Sequence, residues 1–275
     1  MAQGTLYIVS TPIGNLKDIT LRALDILREA DFIAAEDTRH TQKLLNHYEI
    51  KARTLSFHEY SDEKKLEQLL ALLSDGARVA LCSDAGTPLI SDPGYILVKR
   101  CVERDIAVEC LPGPCAAIAA ATLSGIDLRE FLFAGFLPPK AAARQKELAR
   151  LRDTGVPIVL YESPNRIVAA LEDICAVFGE DAPVSISREL TKLYEETVRE
   201  SAGEAHKIFS ARDKIKGEFV VVVGKAQAAG ATEEEILGAL RARVSSGMAK
   251  KQAVTEVTAL FSCPRNKVYR LALTL

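Results

Sequence analysis

Five segments rich in Gly, Pro and polar side chains punctuate the first 115 residues. They are Ser10-Thr-Pro-Ile-Gly-Asn-Leu16, Glu36-Asp-Thr-Arg39, His58-Glu-Tyr60, Ser83-Asp-Ala-Gly-Thr-Pro-Leu-Ile-Ser-Asp-Pro-Gly94 and Pro112-Gly-Pro-Cys115. Gly and Pro let backbone approach a ligand closely and hold it rigidly. Lys17, Glu36, Asp37, Arg39, His58 and Glu59 lie in or beside these segments. A carboxylate there can position or deprotonate a weak nucleophile such as a hydroxyl, and a cation can hold phosphate. On that reading Asp37 or Glu36 serves the hydroxyl, while Lys17 and Arg39 hold phosphate. The alternative is that Glu36, Asp37 and Arg39 form a helix N-cap and a local ion pair. Taken singly, each segment is also explained by turn chemistry.

Several other chemistries are disfavoured. Only Gly14 follows the first apolar run, so G-x-G-x-x-G is missing, and there is no G-x-x-x-x-G-K-[ST] phosphate loop. No G-x-S-x-G elbow is present, and no His/Asp set suits Ser83 as a nucleophile. Cys82 and Cys115 lack an adjacent basic residue that would lower a thiol pKa. The six cysteines include no CxxC, and the four histidines show no ligand spacing, so no structural metal is expected.

The elements that carry these loops follow from periodicity. Apolar runs at 6–9, 32–35, 53–57, 79–83 and 107–111 read as strands. Amphipathic stretches at 18–30, 39–48, 62–74 and 93–104 read as the helices between them. Strict alternation implies a parallel sheet, because parallel neighbours need a crossover. All five loops then leave the carboxyl edge, where open α/β sheets bind ligands. Beyond an Ala-rich helix at 115–124, strand candidates at 131–137, 156–162, 184–188, 196–201 and 219–223 have less room for crossovers, which points to a mixed sheet. Residues 227–232 read as a small-residue linker, and 233–244, 249–261 and 264–273 as three short helices, the last two helix-turn-helix-like around a break at 262–263.

The fold class expected is therefore α/β, with two α/β domains and a cleft between them, plus a small helical extension. The boundaries expected are 1–118, 119–226 and 233–275. The chain of 275 residues, 48% hydrophobic and 26% charged, supports sizeable cores. No apolar run approaches the roughly 18 residues that span a bilayer, and no signal sequence is evident, so a cytosolic location is expected. The net charge is −2, which argues against a generally basic nucleic-acid binder. Residues 241–275, however, carry seven basic side chains and one acid, a net +6 that leaves −8 on the first 240. Lys250, Lys251, Arg265, Lys267 and Arg270 of this tail suit RNA phosphates. The alternative is a solvated basic face.

Eight motifs in order carry a resemblance: Ser10–Leu16, Ala35-Glu-Asp-Thr-Arg39, Ser83–Gly94, Leu111-Pro-Gly-Pro114, Phe133-Ala-Gly-Phe-Leu-Pro138, Tyr161-Glu-Ser-Pro164, Arg188-Glu-Leu-Thr-Lys192 and Gly217-Glu-Phe219. Together, over roughly residues 4–226, they resemble the tetrapyrrole methylase superfamily, and within it the branch that methylates small-subunit ribosomal RNA. The resemblance implies S-adenosylmethionine (SAM) as cofactor, 16S rRNA or the small ribosomal subunit as partner, and a homodimer. It implies methylation of the ribose 2′-oxygen of a cytidine in the decoding region. Carried over position by position, it implies cofactor contacts from Pro12, Gly86, Thr87, Leu89, Ile90, Cys115, Ala116, Tyr161, Leu190 and Glu218. Thr87 stands where the superfamily often has Asp, and Cys115 where Ser is common, so a carboxylate and a hydroxyl are missing from that pattern. The rivals are a methylase acting on a small tetrapyrrole and a non-catalytic ribosome-assembly factor.

Overall fold

A computed structural model describes residues 3–58, 63–225, 233–261 and 265–275. The expected linker at 227–232, Glu59 and Tyr60 of the third loop, and the expected break at 262–263 with Pro264 lie outside them. Strands β1 (Thr5–Val9), β2 (Phe32–Ala35), β3 (Arg53–Ser56), β4 (Arg78–Cys82) and β5 (Ala107–Leu111) form one sheet in the order β3-β2-β4-β1-β5. Every pairing in it is parallel. Helices α1 (Leu21–Glu29), α2 (Thr38–His47), α3 (Glu63–Ser74) and α4 (Tyr95–Glu103) make the crossovers. They bury Leu24 and Leu27, Leu44 and Leu45, Leu69 and Leu70, and Leu97 and Cys101 against the central strands.

The helix expected at 18–30 starts later, at Leu21, behind a separate turn. Asn15 accepts from the Lys17 amide and caps a single 3-10 turn, Leu16–Asp18. Ile19 is then extended, and Thr20 restarts the chain as α1 by accepting from the Ala23 amide. Two capping side chains five residues apart override the apolar periodicity that runs through them.

The second sheet holds β6 (Leu132–Phe136), β7 (Ile158–Glu162), β8 (Pro183–Arg188), β9 (Glu196–Ser201) and β10 (Phe219–Val223), ordered β6-β7-β10-β8-β9. Only β6 and β7 pair in parallel, so the sheet is mixed. Helices α6 (Ala141–Arg152), α7 (Ile167–Phe178) and α8 (Ala202–Ser210) cover one face of it. The Ala-rich α5 (Ala116–Leu123) covers the other face: Ala117, Ala120 and Ala121 meet Val159, Val220 and Val222 there. Small side chains let that helix lie close to the valine surface.

α6 and α7 are joined by a buried ion pair. Arg144 and Asp173 have side chains only 5% and 6% exposed, with Nε 2.5 Å from Oδ2. Gln145 donates to the other carboxylate oxygen at 2.6 Å. Asp173→Ala strands the guanidinium in the core, which costs about 3–5 kcal/mol when one partner of a buried pair is lost. Thermal unfolding should show a large fall in Tm, and an unchanged Tm would remove the pair from any role in stability.

Helices α9 (Glu233–Ser245), α10 (Lys250–Phe261) and α11 (Arg265–Ala272) share a small core of their own: Ile236, Leu240, Val254, Val257 and Val268. No described helix is long and apolar enough to cross a membrane.

Candidate active site

Strand order decides which loops meet. β2, β4, β1 and β5 are consecutive in the first sheet, so the loops from their carboxyl ends are neighbours. β3 lies beyond β2 at one edge, and His58 after it is not among the residues that line the cavity. A cavity of about 420 Å³ opens where the four loops face the second sheet. Its size falls within the ~300–1,000 Å³ of small-molecule sites. The first half lines it with Ile13, Glu36, residues 84–87, residues 90–92 and Ala116. The second half contributes Phe136, residues 161–164, Leu190 and residues 217–220.

Seven of the expected cofactor residues line this cavity: Gly86, Thr87, Ile90, Ala116, Tyr161, Leu190 and Glu218. Pro12, Leu89 and Cys115 do not. Pro12 is buried beside Thr11, whose amide and carbonyl pair with Gly86 at 2.8 and 3.0 Å. Leu89 turns back into the first core. Cys115 is the N-cap of α5, without a side-chain capping bond. Among the expected catalytic residues, Glu36 lines the cavity, whereas Lys17, Asp37 and Arg39 lie outside its wall. Sequence reasoning passes over Asp84, Ser91, Asp92, Glu162 and Phe219, which do line it.

Asp37 is committed elsewhere. It caps α2 by accepting from the Arg39 amide at 2.8 Å, and the Arg39 guanidinium lies 2.7 and 3.0 Å from its two oxygens. Those bonds hold its carboxyl down at about 2. Its own amide donates to Asp84 Oδ1 at 3.0 Å, which ties the second loop to the fourth. Thr87 is a cross-link of the same kind. Its hydroxyl donates to the Pro114 carbonyl at 3.0 Å and lies 3.0 Å from Ser10 Oγ, joining loops one, four and five.

The two sides of the cavity share a backbone device. Ile90 stands between Leu89 (φ 72°) and Ser91 (φ 64°), and Leu190 between Glu189 (φ 51°) and Thr191 (φ 64°). Left-handed backbone is costly for residues with a Cβ and persists only where the surroundings enforce it. Each such pair turns one aliphatic side chain toward the cavity from opposite sides.

Charge is unevenly spread. Glu162 is matched by Arg166 at 3.1 Å, and Glu218 by Lys192 at 2.7 Å. Asp92 instead has Glu36 and Asp84 as charged neighbours. Burial first, and then those carboxylates, push its carboxyl up to about 7, against a lowering bond from Ser83. This flank suits a cationic ligand, while Ile13, Leu190, Phe219 and Val220 offer an apolar surface opposite. Tyr161 spans the two halves: its hydroxyl, with its pKa raised by burial, accepts from the Ala117 amide at 3.3 Å and so serves the N-terminus of α5.

Loop one also docks on the second half. The Asn15 amide donates to Thr191 Oγ1 at 3.0 Å. A Cβ on Gly14 would stand 2.5 Å from Lys192 Cγ, 2.8 Å from Thr191 Oγ1 and 3.0 Å from the Leu190 carbonyl. Lys192 can swing aside, but the Leu190 backbone cannot. Overpacking of this kind costs about 1–3 kcal/mol. Gly14→Val should therefore push Leu190 out of the cavity wall and weaken ligand binding about tenfold, read by titration calorimetry. Wild-type affinity would show that the contact does not shape the site.

The five expected RNA contacts lie outside the cavity, on α10 and α11. Lys250, Lys251, Arg265 and Arg270 are exposed, and Lys267 is half-buried.

Comparison with known proteins adds a family. The family model described as "Tetrapyrrole (Corrin/Porphyrin) Methylases" matches residues 5–206. The ribosomal RNA small subunit methyltransferase I of Micromonospora olivasterospora is 44% identical, covering 97% of this chain and 85% of that protein. Its counterpart from Escherichia coli O157:H7 is also 44% identical, covering 99% and 96%. Among solved structures, the uroporphyrin-III C-methyl transferase from Thermus thermophilus complexed with S-adenyl homocysteine is similar in fold, with TM-score 0.57, 17% identity, and coverage of 81% of this chain and 98% of that one.

Proposed function

Because the chain belongs to the tetrapyrrole methylase family, and within it to the ribosomal RNA small subunit methyltransferase I group, we propose that it moves a methyl group from SAM to the ribose 2′-oxygen of a cytidine in the decoding region of 16S rRNA. The observation that carries this reading is the cavity itself, acidic on one flank and apolar on the other, between two sheets. That donor set fits SAM, which brings a sulfonium cation, an ammonium group and a flat apolar adenine. When bound, SAM supplies an electrophilic methyl group.

The protein's own contribution is positioning, which supplies much of the rate of an in-line transfer. Asp92 and Asp84 would hold the cationic part of the ligand, and Ile13, Leu190, Phe219 and Val220 would shield its apolar part from water. Glu36 takes the proton of the 2′-hydroxyl. It is favoured over Asp37 because it lines the cavity, whereas the Asp37 carboxylate is held by Arg39. Lys17, exposed on its 3-10 turn, is the better phosphate ligand of the expected pair for the same reason.

In this proposal the first sheet with its loops binds substrate and cofactor, the second completes the cavity, and the basic C-terminal helices meet RNA. The proposal includes a homodimer and a cytoplasmic location. The direct test is incubation with labelled SAM and undermethylated small subunits, followed by mass mapping of 2′-O-methyl groups in 16S rRNA. Label in one decoding-region cytidine is the expected result. Label only in a tetrapyrrole offered in parallel, or no turnover at all, would replace this reading by one of its rivals.

A further inference from the structure

We propose that the outward face of α11 is an RNA-docking surface on which Tyr269 stacks against an unpaired base, while Arg265 and Arg270 hold adjoining phosphates. The inference rests on RNA being the substrate, and it concerns a ring that methyl transfer at the cavity leaves without a role.

α11 has two distinct sides. Val268 and Ala272 are buried in the small C-terminal core, with Leu271 packed against it. Arg265, Asn266, Tyr269, Arg270 and Leu273 all point outward. Tyr269 is 56% exposed, and Leu273, just past the end of the helix, is 67% exposed. Arg265 and Tyr269 are four residues apart, one above the other on the helix surface, at about 6 Å along the axis. Arg270 is the next residue, exposed about 100° further round the helix. Two cations and an aromatic ring are thus exposed on the side of α11 away from its core.

Charge selects the partner. From 241 onward the only acid is Glu256, and Arg243 engages it at 3.1 Å. The acids of α9, Glu233, Glu234 and Glu235, lie in its first turn, and with them the three-helix unit of residues 233–275 still carries a net +3. The α11 face is therefore a basic surface carrying an aromatic ring, a combination that suits a polyanion with flat bases. Double-stranded RNA buries its base faces and closes its major groove to side chains, so an exposed ring serves an unpaired segment.

The test uses the full chain and two readouts. Binding of a fluorescent single-stranded oligoribonucleotide is measured apart from methyl transfer to undermethylated subunits. Tyr269→Ala should weaken oligonucleotide binding and raise KM for subunits by about fivefold to a hundredfold, the range of a lost base–aromatic stack. SAM affinity and kcat at saturating subunits should not move. Tyr269→Phe, which keeps the ring, should behave as wild type. Arg270→Gln should lower the slope of log K against log salt by about 0.7, the share of one phosphate on single-stranded nucleic acid. Tyr269→Ala should leave that slope alone. Unchanged oligonucleotide binding in Tyr269→Ala overturns the proposal. So does a change in self-association by sedimentation, which would make the ring a contact between copies. Absence of methyl transfer by the wild type counts against the function instead, and leaves the oligonucleotide result to judge the surface.

Discussion

Replacing Glu36 with Gln should lower kcat at saturating SAM by about a hundredfold or more, the range over which a positioned base acts. The amide keeps the shape of the side chain and removes its ability to take a proton. Asp37→Asn is the informative companion. Asn caps helices about as well as Asp, so α2 keeps its N-terminus and turnover should survive. The two variants thus separate neighbouring carboxylates that sequence alone does not rank. Methylation by Glu36→Gln at the wild-type rate, together with a dead Asp37→Asn, would reverse the assignment.

Asp92→Asn should weaken SAM binding by about tenfold to a hundredfold, as expected for losing a charged partner. It should also abolish a pH dependence that the wild type shows. With its carboxyl raised to about 7 by burial and by Glu36 and Asp84, Asp92 is protonated in the free protein below that pH. A cationic ligand needs it ionised, so affinity should fall toward about tenfold per pH unit as the pH drops below 7. Stability runs the other way. A carboxyl whose folded pKa lies above its unfolded value stabilises the fold while protonated, and that contribution is lost as pH rises through about 7. The ligand-free Asn variant should therefore melt higher than wild type at pH 8. Titration calorimetry and thermal melts read the two effects separately. A pH-independent wild-type affinity would remove Asp92 from the cation site.

Much of this site is legible in the order of the residues. Alternation of apolar runs and helical stretches implies a parallel first sheet with loops on one edge, and β1 to β5 fall there. Periodicity does not report strand order, however. The His58 loop therefore reads as one of five equals, although β2 separates its strand from β4 and β1. Asp84 and Asp92 are hidden for a different reason. Inside a Gly/Pro-rich run an Asp reads as a turn residue, and only folding brings two of them toward Glu36. Their signal is two carboxylates in one rigid loop. Sequence does not separate the two readings of Asp37, because a capping carboxylate and a catalytic one look alike there. Tyr269 disappears into an amphipathic pattern, since residue types report neither its exposure nor the neutralisation of Glu256 by Arg243.

The paired left-handed turns around Ile90 and Leu190 bear on how the protein can evolve. Leu89, Ser91, Glu189 and Thr191 all occupy backbone that Gly or Asn would adopt at lower cost. Substituting glycine at any of them would relieve conformational strain, but at Leu89 it would forfeit core packing, at Glu189 the ion pair with Lys192 and at Thr191 the bond from the Asn15 amide. Each would also let a cavity-lining aliphatic side chain wander, so that the ligand would have to restore order as it arrived. Backbone ease and a ready-made seat are therefore opposing demands at these four positions, and the native residues sit on the side of the seat.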